Sequence, residues 1–420
     1  MATDKRLDQS LRAASGELPV GRARPPVPPR PPAQAANVAR AAAPSAHAAA
    51  RVRAEAVADA FDHETAVRFA FVGAGQGGGR IAQAFWDVGY RRVAAFNTTD
   101  SDFAGLADEL PRFSLGVGGA AKDMAAARAA MRGRDEEVWD LFTRAWGRSF
   151  DRAVVCVGLG GGSGGGACVP LVRLARRYME SHGLAPRVGA VVSLPGVDEG
   201  RRVARNAVEA FAELAAERVS PLVVIDNDAV DALYRPPMAH LLPKSNELVS
   251  RLLHLFNRLA ATKSRHITFD RSEFEQVLDA GLVVFGSADL PTESIAGPAD
   301  VSQAIKEQLA ASVLARVDPR TAKKAACVFV AGSSVLEAYG KEYFAAGFTM
   351  IDRVVGSAHA AGDAEVVVHR GLYQEGDDGL QCYVLIGGAE PPFDKLAALA
   401  RVGGLPEAEV PHLARHLRVA

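Results

Sequence analysis

Long apolar runs are missing from this 420-residue chain: none reaches the roughly 18 residues that a membrane-spanning helix needs, and the N-terminus carries no apolar signal-peptide core. A cytoplasmic protein without a transmembrane segment is the expectation. Excess charge is missing too. A net charge of -1 argues against bulk attraction to nucleic acid or acidic membrane, and no specific nucleic-acid signal is present. Cysteine is scarce. The four, Cys156, Cys168, Cys327 and Cys382, form no close metal-ligand pair, and three lie in or beside apolar strand-like runs. That pattern reads as buried reduced thiols and excludes a disulfide framework or a zinc site. Large apolar residues are nearly absent from residues 1 to about 62, where Pro, Ala and Arg dominate (ARPPVPPRPPAQAANVARAAAPSAHAAARVRAEA). Such a segment cannot bury enough surface to offset its ordering entropy. Disorder is expected there, with polyproline geometry around residues 25–32 and a transient alanine helix near 48–60. Arginines outnumber acids up to Arg53, which suits either a tether to an adaptor protein or anionic surface, or a plain solvated tail.

The remainder has the composition of a globular protein. The whole chain is 49% hydrophobic and 23% charged, so a sizeable core is possible, and the length suggests two domains plus extra. Its centre is residues 152–178, RAVVCVGLGGGSGGGACVPLVRLARRY. Residues 153–157 form a short β-branched run of the buried parallel type, and residues 170–178 have helical spacing. Between them lie Gly160, Gly161, Gly162, Gly164, Gly165 and Gly166, with Ser163 as the one hydroxyl. Without Cβ atoms, successive N–H groups can turn towards one anion, and the following helix adds its positive end. No Gly-Lys-Ser/Thr follows, so this phosphate cradle is not a Walker loop.

A second strand, glycine turn and helix start occupies residues 67–88, with G-x-G-x-x-G at Gly73, Gly75 and Gly78. A dinucleotide-binding oxidoreductase is the rival it raises. Such enzymes carry Asp or Glu at the end of the next strand, whereas residues 92–96 here run into Asn97-Thr98-Thr99-Asp100. Two glycine turns on one sheet favour a single polyphosphate gripped from both sides. A third glycine group, Gly116-Val117-Gly118-Gly119, precedes an alanine-rich helix over 122–131. Strands at 188–194 and 222–225 with a helix over 201–218 complete a parallel sheet with helices on both faces, whose ligands sit at strand carboxyl ends. Residues 245–261 (SNELVSRLLHLFNRLAA) are apolar over so broad a surface that a helix packed on several sides is expected. Further strands at 282–285, 327–330, 366–369 and 382–386, with helices over 301–317 and 334–344, read as a smaller second α/β domain. A short helix-prone tail follows from residue 393.

Taken together, these motifs resemble the tubulin and FtsZ superfamily of nucleotide-dependent cytoskeletal GTPases, most closely its CetZ-like branch. GGGSGGG is similar to the superfamily's signature loop, with Ser163 for the usual Thr and Gly165 for a usual Ser, Ala or Thr. GQGGGRIAQAFWDV, AAFNTTDSDFAGL, LPGVDEG and VIDNDA match in order and spacing, over roughly residues 69–388. The resemblance implies an α/β fold in five parts: an arm (1–64), a parallel doubly wound GTP-binding domain (65–244), a long central helix (245–263), a smaller C-terminal α/β domain (264–390) and a tail (391–420).

The resemblance also implies phosphate contacts from Gly75, Gln76, Gly77 and Gly78, from Gly118 and Gly119, and from Gly161, Gly162, Ser163 and Gly164. Arg80 lies where the family approaches the base. Glu199 matches the residue that holds ribose hydroxyls, and Asn227 and Asn246 match two asparagines that read guanine, whose N1/N2 donors and O6 acceptor an amide can pair. Leu242 stands where the family often stacks an aromatic on the base, which implies weaker guanine selectivity. Asp270 and Glu273 match acids that enter the next subunit's nucleotide pocket and polarise the attacking water. GTP or GDP with Mg²⁺ is the implied ligand, with no metal-ligand set assigned. The implied partner is the chain itself, as a head-to-tail homopolymer that hydrolyses GTP at the subunit junction. The alternative is a non-polymerising or dimeric GTP-binding switch or scaffold.

Overall fold

The computed structural model describes residues 61–235, 237–312, 314–358, 366–407 and 410. The expectations for residues 1–60 and 411–420 lie outside the described residues.

The first half alternates strand and helix. β1 (Phe69–Ala74) leads into α1 (Gly75–Val88), then β2 (Val93–Asn97), the short β3 (Arg112–Ser114), α2 (Met124–Met131) and α3 (Asp135–Trp146). β4 (Arg152–Gly158), α4 (Gly162–Ser181), β5 (Val188–Leu194), α5 (Arg201–Ala216) and β6 (Leu222–Asp226) follow, and then α6 (Asn227–Tyr234) and the 22-residue α7 (Met238–Leu259). The second half contains α8 (Arg271–Leu278), β7 (Leu282–Asp289), α9 (Pro298–Ser312), β8 (Lys324–Ala331), α10 (Ser333–Ala338), α11 (Lys341–Val354), β9 (Val367–Gln374), β10 (Leu380–Gly387) and α12 (Phe393–Gly403).

All ten strands join one sheet in the order β3-β2-β1-β4-β5-β6-β7-β10-β8-β9. From β3 to β7 every neighbour is parallel; β10 is antiparallel to both β7 and β8, and β8 pairs parallel with β9. The two halves meet through two registered pairs, Leu222 with Leu282 and Val223 with Val283. Central strands are buried on both faces, which explains their continuous apolar runs. Side chains alternate between two cores: Val155 and Val157 face α3 and α4, whereas Val154 and Cys156 share a cluster with α1 and α7.

Five expectations are corrected. The first two concern helix starts: α1 begins at Gly75, not after the glycines, and α4 begins at Gly162, eight residues before Pro170. Close backbone packing overrides glycine's poor helix propensity at both places. α7 likewise starts at Met238, ahead of the expected Ser245, and carries Pro243 inside it. The pattern over 334–344 divides into α10 and α11 at Gly340, and the supposed tail from residue 393 is a packed helix in which Leu396, Leu399 and Ala400 are fully buried. The folded part also reaches back to Phe61. Its ring packs edge-on to Tyr90 at 4.9 Å and stacks on His254 at 5.4 Å, while Asp62 pairs with buried Arg92.

The Asn257 amide helps to fix the far end of α7. Asn257 Oδ1 accepts from the Val67 N–H at 2.7 Å, and its Nδ2 donates to the Val67 carbonyl at 2.8 Å and to the Tyr90 hydroxyl at 3.1 Å. Val67 precedes β1, so this end of α7 lies at the amino edge of the sheet, and its 22 residues span about 33 Å towards the carboxyl edge. Replacing Asn257 by Leu strands these buried groups, and an urea melt is expected to show a loss on the order of 3 kcal/mol. Burial, with Arg258 second, lowers the His254 pKa to about 4. Between pH 6.5 and 4 the unfolded chain therefore takes up a proton that the folded one refuses, and stability falls as pH falls. His254→Phe is expected to flatten this part of the stability profile against wild type in pH-dependent melts.

Candidate functional site

Glycine geometry brings the three turns together. A Cβ on Gly75 (φ +69°) would lie 2.7 Å from Gly164 N, and one on Gly164 would lie 2.8 Å from the Ala74 carbonyl. A Cβ on Gly162 would lie 2.4 Å from Asp123 N. The β1–α1, β4–α4 and β3–α2 connections are thus in direct backbone contact at the carboxyl edge of the sheet. Both α1 and α4 begin inside these turns, so the unpaired N–H groups of their first turns and both positive ends face one region. Ser163 Oγ and Thr98 Oγ1 lie 2.7 Å apart, which ties the end of β2 to the first turn of α4.

The third loop is shaped by left-handed backbone. Gly116 (+67°), Gly118 (+73°), Gly119 (+96°), Ala121 (+46°) and Lys122 (+62°) all have positive φ. Ala121 and Lys122 carry side chains that disfavour this region by about 1 kcal/mol or more each. Arg202 Nε and Asn206 Nδ2, both on α5, hold the strained segment by donating to the Lys122 carbonyl at 2.9 Å.

The remaining expected contacts fall around this edge. Gln76, Gly77 and Arg80 are exposed on the first turns of α1, Gly78 is buried, and Gly161 is the N-cap of α4. Gly118 is exposed with open space around it. Glu199 lies on the exposed turn after β5, where its Oε1 accepts from Gly196 N at 2.7 Å. That turn touches α6, since Val197 N donates to Asp228 Oδ2 at 3.3 Å. Asn227, the first residue of α6, is 6% exposed, and its Oδ1 is buried without a hydrogen-bond partner. Asn246 is half-buried on α7, and Leu242 is 41% exposed one turn earlier. Asn97 ends β2 where a ribose-binding acid would stand in a dinucleotide enzyme, and its amide is used locally on Asp102 and the Thr98 N–H.

Asp270 and Glu273 lie elsewhere. Asp270 is the exposed N-cap of α8, with its Oδ1 accepting from Glu273 N at 3.0 Å, while Glu273 Oε2 accepts from Asp270 N at 2.9 Å. The other oxygen of Glu273 lies 3.2 Å from His369 Nδ1. This reciprocal capping box fully employs Glu273 within its own chain and leaves Asp270 facing outward. α8 is tied to the amino edge of the sheet: Arg271 lies 3.4 Å from Asp151, just before β4, and Glu275 lies 2.6 Å from Arg187, just before β5. The acids and the glycine turns therefore occupy opposite edges, separated by the roughly 20 Å length of these strands. Tyr373 secures the approach to Asp270: its hydroxyl is 2.9 Å from the carbonyls of Leu259 and Phe269 and accepts from Phe269 N at 2.9 Å. Burial pushes its pKa up to about 12.

Sequence reading missed Lys395. This buried lysine of α12 places Nζ 2.9 Å from Asp226 and also pairs with Asp228. Asp226 caps α6 by accepting from Asp228 N at 3.0 Å, so the C-terminal helix braces the residues on both sides of Asn227. Only its acidic partners in VIDNDA hinted at it. No group of three or more His, Cys, Asp or Glu suited to a metal ion occurs among the described residues. No described helix is long and apolar enough to cross a membrane.

This architecture is the tubulin/FtsZ fold. CetZ2 from Haloferax volcanii, in a GTPγS-bound protofilament, superposes with a TM-score of 0.66 at 20% identity, over 83% of this chain and 99% of that one. TubZ from Bacillus thuringiensis serovar israelensis, in a GTPγS-form protofilament, gives 0.67 at 19% identity over 81% and 91%. A two-stranded TubZ filament model gives 0.69 at 18% identity over 86% and 94%. No protein-family model and no curated protein matches the chain in sequence.

Removing Lys395 leaves Asp226 buried without its countercharge. Lys395→Met is expected to cost about 3 kcal/mol or more in chemical denaturation. Adding Asp226→Asn is expected to restore over half of that loss.

Proposed function

We propose that this protein is a cytoplasmic GTP-binding protein that assembles head to tail and hydrolyses GTP where subunits meet. The observation that carries this reading is the separation of the two half-sites. An anion cradle lies at one edge of the sheet and an outward-facing carboxylate at the other, so stacking one subunit on the next brings them together. The CetZ and TubZ protofilaments with GTPγS support the same arrangement.

The residues present fit a guanine nucleotide. Two helix starts and the left-handed third loop suit a polyphosphate, with Gly75, Gln76, Gly77, Gly78, Gly118, Gly119, Gly161, Gly162, Ser163 and Gly164 supplying the contacts. The unpartnered Oδ1 of Asn227 is an acceptor suited to the base's N1 and N2 donors, with Asn246 as the second reader and Arg80 nearby. Glu199 would hold the ribose. Mg²⁺ takes most of its ligands from phosphates and water, which agrees with a site built without a carboxylate cluster. When bound, it would neutralise phosphate charge. Asp270 is the acid we assign to orienting the attacking water, with Glu273 positioning it through the capping box.

Within this reading, residues 65–244 form the nucleotide-binding domain, 245–263 the central helix and 264–390 the second domain. Residues 1–64 serve as the arm, whose Phe61 and Asp62 pack onto the first domain, and 391–420 as the terminal segment. The arginine excess in the arm suits an adaptor protein or an anionic surface. A second reading, a dimeric or non-polymerising switch, draws support from Glu273, whose oxygens are both engaged, and from exposed Leu242 in place of a stacking aromatic.

Sedimentation with GTP, GDP and no nucleotide separates the two. GTP-dependent pelleting is expected; its absence over a wide concentration range selects the switch. Asp270→Ala is expected to bind GTP as wild type does while losing at least about a hundredfold in turnover. Unchanged hydrolysis by this variant would rule out the two-subunit mechanism.

A further inference from the structure

A cavity of about 630 Å³ lies between α6, α11 and the face of the sheet formed by β7 and β10, and Ala229, two residues after Asn227, is part of its lining. Its size falls within the range of small-molecule sites. Small side chains create the space. On this face β7 presents Gly286 between Val284 and Ala288, paired with Val384 of β10, and α6 contributes Ala232. A glycine inside a strand leaves the core face without a side chain and often marks close approach of another molecule. Met350 of α11 provides an adaptable wall.

The lining is apolar except for its charge, which has one sign. Lys306 of α9 and Arg316 are its charged side chains, both exposed, and neither forms an ion pair among the described residues. An apolar chamber with two cations and no acid is complementary to a molecule with a hydrocarbon body and one anionic head.

We propose that this cavity binds a small amphiphilic carboxylate, its body between α6, the sheet and Met350 and its head on Lys306 and Arg316. A carboxylate supplies the acceptor oxygens that a guanidinium and an ammonium can share. An alcohol of equal length fills the same volume but forms no charge-assisted bonds there. The site is independent of the nucleotide reading, although its α6 wall is the helix that begins with Asn227.

Isothermal titration of the full chain with laurate below its micellar concentration tests this, with 1-dodecanol as the uncharged control. One saturable laurate site is expected, with dodecanol at least about tenfold weaker. Lys306→Glu combined with Arg316→Glu is expected to weaken laurate about tenfold or more while leaving dodecanol unchanged. Ala232→Phe should weaken both ligands by occupying the chamber. Because both cations are exposed, the charge-reversed protein gives a decision even where Ala232→Phe does not fold. The proposal is overturned by any of three results: no saturable laurate binding, dodecanol binding as tightly as laurate, or equal laurate affinity after charge reversal.

Discussion

The carboxyl edge of this sheet depends on backbones approaching more closely than any Cβ permits. A Cβ on Gly78 would lie 2.1 Å from the Cys156 carbonyl, and one on Gly73 would lie 2.4 Å from the Gly78 carbonyl. These contacts let α1 rise directly from β1 while lying against β4. Gly164 and Gly166 do the same for α4, which packs on Ala74 and on the carbonyl of Met124. With side chains at these positions, both helix starts would move outward and their N–H groups would no longer face one region. These four glycines thus act through rigidity, since each is held by packing and Gly164 and Gly166 are helical.

A second constraint follows from the parallel sheet. Parallel strands place every turn after a strand at one edge and every approach to a strand at the other. The glycine turns follow β1 and β4, whereas α8, which Asp270 caps, is tied through Arg271 and Glu275 to residues that precede β4 and β5. α7 joins the edges as a buried strut, anchored at its far end by Asn257 and Tyr373. One chain therefore presents the glycine turns at one edge of the sheet and the outward-facing Asp270 at the other.

Much of this was legible in the sequence where burial leaves a local signature. The strand expected over 188–194 is β5 with identical bounds, and that over 153–157 is β4 short by one residue at each end. Buried parallel strands are apolar on both faces, so they read as continuous runs. Helix starts were less legible because glycine and proline signal loops by local propensity. At Gly75 and Gly162 that signal misleads, since tertiary packing outweighs a propensity of about 1 kcal/mol for a glycine. Phe61 was hidden by the alanine-rich segment before it, and Lys395 by its place in a short segment read only as a helix-prone tail.

The sequence by itself determined the order of strands and glycine turns and the apolar character of the central helix. These are properties of local pattern, in which period and composition suffice. Tertiary structure alone decided that the three turns touch, that β6 and β7 merge two halves into one sheet, and that α12 returns to brace Asp226. It also engaged Glu273 in a capping box and left Asp270 outward. Each of these depends on residues far apart in the chain coming within a few ångströms, and no local pattern carries that distance.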